Sequence, residues 1–213
     1  MPELTEITLR SLFVSGTATL LSAALGIPAG VALGLARFRG RGLLIALVRT
    51  GMALPTVVVG LLVYLLLSRS GPLGGIGWLF SVKAMIAAQT ILALPFVIGI
   101  TAQALESLPV GLAEQVRSLG ATEMQLRWTL VREARRGIWL AVALAFGRSI
   151  SEVGAVLIVG ANIPGHTRVL TTAIVQKTSE GAFGMAIGLG LVLLVVALAA
   201  NYLLVRWIAW RHA

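Results

Sequence analysis

Arg148 and Glu152 are the residues whose types and spacing most plainly invite chemistry. They stand four apart inside the apolar run at residues 138–159, on one face of any helix that holds them. A charge at the bilayer centre costs about 2.5–3.5 kcal/mol on insertion scales, so two in one run face protein or water rather than lipid. Two readings fit. The pair neutralises itself and fixes helix packing, or Arg148 draws an anion into a path beside the hydroxyls of Ser149 and Ser151. Further along, residues 162–168 read Asn-Ile-Pro-Gly-His-Thr-Arg. Pro-Gly makes a tight turn, and a loop bearing Asn162 and Thr167 could gate such a path. His166 has no second ligand near it in sequence, and metal sites need several.

A second concentration of charge lies at residues 113–138, with five arginines and three glutamates in a chain only 12 % charged. Pro109 suits the first turn of a helix over residues 110–119. Gly120 is a natural left-handed end to that helix. Thr122 then caps a second helix, and Gln125 three residues on completes a capping box. Met124, Trp128 and Val131 recur at i, i+4 and i+7 as an apolar stripe. That stripe suits either a docking partner or a membrane interface, and the pattern alone does not choose between them.

The elements that must position these groups are membrane helices. Hydrophobic residues make up 58 % of the 213, and mean hydropathy is +0.96, beyond what soluble domains carry. Apolar runs at about residues 12–36, 45–67, 82–105, 138–159 and 183–208 each match the ~30 Å hydrocarbon core. They are continuous rather than alternating, and backbone groups in lipid must bond internally, so helices are expected. The fold class is therefore all-α integral membrane, one transmembrane domain over residues 1–213, with five transmembrane helices and a cytoplasmic insert at about 106–136.

Loop charge sets the orientation. Three arginines follow the first run at residues 37–42, five lie in the insert, and Arg206 and Arg211 close the last run. The other two loops carry few. The positive-inside bias then places the N-terminus outside and the C-terminus in the cytoplasm. It also accounts for the net charge of +9 without nucleic acid. The acidic start, MPELTE, is unlike a signal peptide, so the first span is expected to stay. Gly26, Gly30 and Gly34, and again Gly184 and Gly188, have the spacing that lets helix backbones approach. Pro28, Pro55 and Pro95 should bend or loosen their helices.

Residues 114–122 resemble the coupling segment of permease subunits of ABC importers: Glu114-Gln115-Val116, then Gly120-Ala121-Thr122. Gln115 and Val116 stand where that signature has alanines, and Arg132-Glu133 where it has Leu-Pro. Further motifs narrow the resemblance to permeases of the tungstate type: residues 132–135 (REAR), 147–155 (GRSISEVGA) and 159–165 (VGANIPG). Related molybdate and sulfate permeases share the Glu-x-Gly-Ala element and the Asn-Ile-Pro-Gly turn. The likeness runs from about Pro55 to the end. It implies a coupling helix that docks on an ATPase subunit, with Glu114, Gly120 and Ala121 at the contact; Thr122 as cap and Met124 and Trp128 of the apolar stripe are expected beside them. It also implies a homodimer in the inner (plasma) membrane, two ATPase subunits, and an extracytoplasmic oxyanion-binding protein.

Other classes fit less well. The chain has no GxxxxGK[ST] to cradle nucleotide phosphates, so ATP and Mg are expected on the partner and no cofactor on this chain. All eight acidic residues are glutamates and cysteine is absent, which removes thiolate metal sites and disulfides. An intramembrane enzyme would set His, Ser or acids on facing spans, and only Arg148 and Glu152 qualify. A secondary transporter would show related halves and midplane charge relays, and no repeat is evident. A dianion importer also needs transient binding along its path, so Arg148 is expected to be partly neutralised by Glu152.

Overall fold

The computed structural model describes residues 2–210 of the chain; Arg211, one of the charges used for orientation, lies outside them. Every regular element among the described residues is helical. The first helix, α1 (Pro2–Leu35), starts ten residues before the expected span. The polar start stays helical because Glu6 pairs with Arg10 one turn on and the Thr8 hydroxyl donates to Leu4 O at 2.7 Å. At 1.5 Å per residue its 34 residues reach about 50 Å, so its end projects past the hydrocarbon.

Down α1 runs a buried seam of small residues: Ser11, Ser15, Ala18 and Ser22, continued by Gly26, Gly30 and Gly34. The glycine part lies on α4 (Val82–Glu106). A Cβ on Gly26 would stand 2.8 Å from Val97 Cβ, and one on Gly30 2.7 Å from both Ile98 O and Thr101 Cβ. Ser22 Oγ donates to Thr90 O at 3.1 Å. Backbones this close gain dispersion that lipid cannot supply by hydrophobic drive. Pro28 and Pro95 lie within α1 and α4 without ending either helix.

The second apolar run departs from expectation. It is two helices, α2 (Arg41–Met52) and α3 (Thr56–Leu67), meeting at 95°. Pro55 is the cause. It has no N–H to donate and sits extended at φ −62°, ψ 121°, so the helix restarts after it. The fourth run is also divided, into α7 (Arg135–Ile150) and α8 (Gly154–Gly160), at 58°. The expectation of one continuous helix in each of these runs is corrected. Among the described residues three helices have the length and apolarity to cross a membrane, or up to five spans if each bent pair counts as one. The loop expected at residues 161–182 also holds a helix, α9 (Leu170–Ser179).

Between α4 and α7 the insert forms α5 (Leu112–Ser118) and α6 (Glu123–Glu133). Pro109 does not open the first of these. Gly111 sits left-handed at φ +92° and interrupts the chain, so Pro109 instead starts a turn closed by Leu112 N donating to Pro109 O at 3.2 Å. The last helix, α10 (Phe183–Trp210), is peripheral: only 6 % of its most apolar window is buried. A Cβ added at Gly184 or Gly188 would meet nothing within 4 Å, so neither glycine is needed for a close helix crossing in the single chain.

The elbow and the 162–168 turn occupy opposite ends. Leu105, Ala134 and Ile138 cluster with Leu35 near the elbow, and Arg41 pairs there with Glu106. At the other end Arg10 of α1 donates to Gly165 O at 2.7 Å and to Arg168 O at 3.1 Å. Overpacking the seam should be costly where open space is not. Gly30→Leu is expected to lose about 1–3 kcal/mol, read as a lower Tm in detergent micelles, while Gly184→Leu leaves the Tm of the single chain unchanged.

Candidate functional site

The elbow gathers its six predicted residues at one end of the bundle. Gly120 takes φ +81° between α5 and α6, a conformation that a Cβ opposes. Thr122 caps α6 as expected: Gln125 N donates to Thr122 Oγ1 at 3.3 Å, and Thr122 N to Gln125 Oε1 at 2.8 Å. Arg117 and Glu123, 3.1 Å apart, tie α5 to α6 across Gly120. Leu126, 2 % exposed, roots the elbow in the protein. Glu114 lies exposed in the first turn of α5, Ala121 is half-buried, and Met124 and Trp128 are exposed. Val110 and Leu119 are also bare. A capped, ion-paired elbow that holds large apolar side chains outward is built to be covered.

The bend between α7 and α8 gathers Arg148, Ser149, Ser151 and Glu152. Ser151 Oγ donates back to Gly147 O at 2.9 Å and Arg148 O at 3.2 Å, occupying carbonyls that a continuing helix would use. Glu152 is 3 % exposed, yet both carboxylate oxygens are engaged. Oε2 accepts from Arg148 Nη1 at 2.7 Å, and Oε1 accepts from Ala155 N at 3.1 Å, capping α8. Arg148 is 28 % exposed, so the cation reaches open space while its partner does not. Both sequence readings therefore have a physical basis: Glu152 packs and caps, and Arg148 keeps a free edge. Ser149 is buried, with no partner for its hydroxyl.

Asn162 and Thr167 do not join that pair. Thr167 Oγ1 is held inside the turn, donating to Gly160 O and accepting from Ile163 N. Asn162 sits left-handed at φ +51° and donates to Gln176 Oε1 at 2.8 Å. Gln176 in turn donates to Glu180. Hydrogen bonds from Lys177 and then Gln176 hold the exposed Glu180 carboxyl below its ordinary range. These two residues shape the turn rather than extend the cationic site.

Sequence reasoning missed four residues of this region. Gln89, 4 % exposed, donates to Ser149 O at 3.0 Å, and Thr171 Oγ1 donates to Glu152 O at 2.9 Å. A lone amide amid the apolar run at 82–105 was the available signal for Gln89. Ser11 Oγ accepts from Leu170 N at 2.8 Å at the start of α9, and Arg10 clamps the turn. Starting the first span at residue 12 hid both.

The family model described as "Binding-protein-dependent transport system inner membrane component" matches residues 26–210. This chain belongs to that family. It is thus an inner-membrane permease subunit of an ABC importer, and ATPase and binding-protein partners come with the family. The permease is 46 % identical over 209 residues to the probable anion ABC transporter permease protein of Haloferax volcanii, covering 96 % of this chain and 90 % of that one. It is 42 % identical over 200 residues to the tungstate uptake system permease protein TupB of Peptoclostridium acidaminophilum, covering 94 % and 88 %. Its fold is similar to a chain of the inward-facing MetNI methionine ABC transporter, with TM-score 0.77, 22 % identity, and 98 % and 97 % covered.

Removing one partner of a buried ion pair costs about 3–5 kcal/mol, and the free edge of Arg148 puts this permease at the low end. Glu152→Ala is expected to show that loss in chemical denaturation. Arg148→Gln leaves the 3 % exposed Glu152 carboxylate without its cation and is expected to lose a comparable amount.

Proposed function

We propose that the permease carries an oxyanion, tungstate first, from an extracytoplasmic binding protein to the cytoplasm, driven by ATP and Mg held on a separate ATPase subunit. The observation that carries this reading is the exposed apolar elbow, joined through a single residue, Ala134, to the helix that bears Arg148. Force applied at Gly120 has a short, capped route into the bundle.

The substrate reading draws on 42 % identity to a tungstate permease along nearly the whole chain. The half-neutralised Arg148 agrees with it, since a dianion must pass without being held. Molybdate and sulfate are the neighbouring choices. Tungstate and molybdate share charge and almost share shape, so the binding protein does most of the selecting.

Two copies of this chain form the path, because a channel between identical subunits has a symmetric lining. The elbow faces the cytoplasm, the N-terminus lies outside, and the C-terminus lies inside. Glu114, Gly120, Ala121, Thr122, Met124 and Trp128 meet the ATPase. Arg148 lines the path with Ser149 and Ser151 near it, Glu152 sets its charge, and Asn162 and Thr167 hold the outer turn. ATP binding and release rock the two bundles about their shared axis.

Gly120→Pro is expected to abolish co-purification of the ATPase subunit and with it uptake. Transport by the permease alone, in vesicles free of nucleotide, would refute the coupled reading. Arg148→Gln is expected to assemble normally and take up tungstate more slowly; uptake equal to wild type removes the arginine from the path. Calorimetric titration of the binding protein with tungstate, molybdate and sulfate is expected to rank tungstate tightest.

A further inference from the structure

Where α6 passes into α7, Arg132, Arg135 and Arg136 line a cleft of about 580 Å³ with Thr129 and Glu133, bordered by Trp128. None of the three arginines has a carboxylate partner among the described residues. Arg10, Arg41, Arg117, Arg148 and Arg168 each have one. Six other described arginines, Arg37, Arg39 and Arg127 among them, also lack one, so what sets this group apart is that three stand together on one cleft.

The cleft lies where the chain turns apolar. Ile138, two residues beyond Arg136, is buried, and the outward side of α7 continues as the exposed side chains Leu140 and Leu144. Arg136, Leu140 and Leu144 fall at i, i+4 and i+8, along one face and about 12 Å of helix. One cationic turn followed by two apolar turns has the polarity of a phospholipid from headgroup to acyl chain.

We propose that this cleft binds the headgroup of an anionic phospholipid, with an acyl chain lying along Leu140 and Leu144. Guanidinium groups meet phosphate oxygens in pairs, and basic pockets at the inner ends of membrane helices take headgroups of this kind. Three arginines against Glu133 leave two net positive charges, the complement of a lipid with two phosphates. A lipid held here braces Ala134, the joint between elbow and bundle. That consequence rests on the coupled reading above; the binding itself does not.

The test uses the purified permease–ATPase complex in detergent, titrated with cardiolipin or with phosphatidylcholine. Native mass spectrometry counts the lipid bound per permease chain. Wild type is expected to retain cardiolipin and not phosphatidylcholine. An arginine near an anionic headgroup contributes about fivefold in affinity, so R132Q/R135Q/R136Q should bind cardiolipin roughly a hundredfold more weakly. R37Q/R39Q, which removes two arginines at the same end, is expected to bind as wild type. An equal loss in R37Q/R39Q would mean diffuse surface attraction and overturn the proposal. Release of lipid by millimolar inorganic phosphate would mark a free-anion site and also overturn it. So would a triple variant that sheds the ATPase subunit yet keeps its cardiolipin, since the arginines would then serve an acidic protein surface. Failure here leaves the Gly120→Pro result untouched, so the two readings fall separately.

Discussion

A bilayer core offers no water to a broken helix, and this permease breaks two of its spans. Every backbone group freed at the breaks must find a partner in the chain itself. At the α7–α8 bend side chains and neighbouring helices take up several of them. Gly147 O and Arg148 O take the Ser151 hydroxyl, and Ser149 O takes Gln89 Nε2 and Glu152 N. Glu152 O takes Thr171, and Ala155 N goes to the Glu152 carboxylate. The second break is solved differently. Pro55 has no N–H to satisfy, and its carbonyl accepts from Val58 N and Val59 N.

The two breaks lie against each other. A Cβ on Gly154 would stand 2.9 Å from Thr56 Oγ1, and one on Gly60 2.7 Å from Ala155 Cα. Glycine at both crossings lets α3 and α8 meet backbone to backbone, and Val59 and Val63 of α3, Met85 and Leu92 of α4, and Val156 and Val159 of α8 fill the space around them. The ion pair that neutralises Arg148 is also the cap that starts α8, so the site's electrostatics cannot be altered without disturbing the bend.

Periodicity and apolar run length made the bundle and its elbow legible. The capping box at Thr122 and the left-handed Gly120 are local chemistry, complete within a few residues, and both stand as read. The glycine seam of α1 was legible for the same reason. The breaks were not. Apolar run length says that a segment can cross a membrane, not that it crosses as one helix, and Pro28 and Pro95 sit in unbroken helices while Pro55 ends one. What distinguishes Pro55 is its tertiary setting, where α3 must turn onto α8. Gln89 and Thr171 were hidden likewise, because their partners lie 60 and 19 residues away.

The arrangement gives a physical reason for the split between Arg148 and Glu152. A fully exposed guanidinium would bind a dianion tightly and stall it, whereas a fully buried pair would offer it nothing. Here the carboxylate is buried and fixed by two donors, while the arginine keeps an open edge. On the proposed path an anion would meet a cation whose field is already partly spent, so that attraction on entry could be reversed. Because Glu152 is anchored to α8 through Ala155 N and to α9 through Thr171, any change in the α7–α8 angle shifts the carboxylate relative to Arg148. On the proposed reading, motion of the elbow passed along α7 would alter how much of that charge an anion meets.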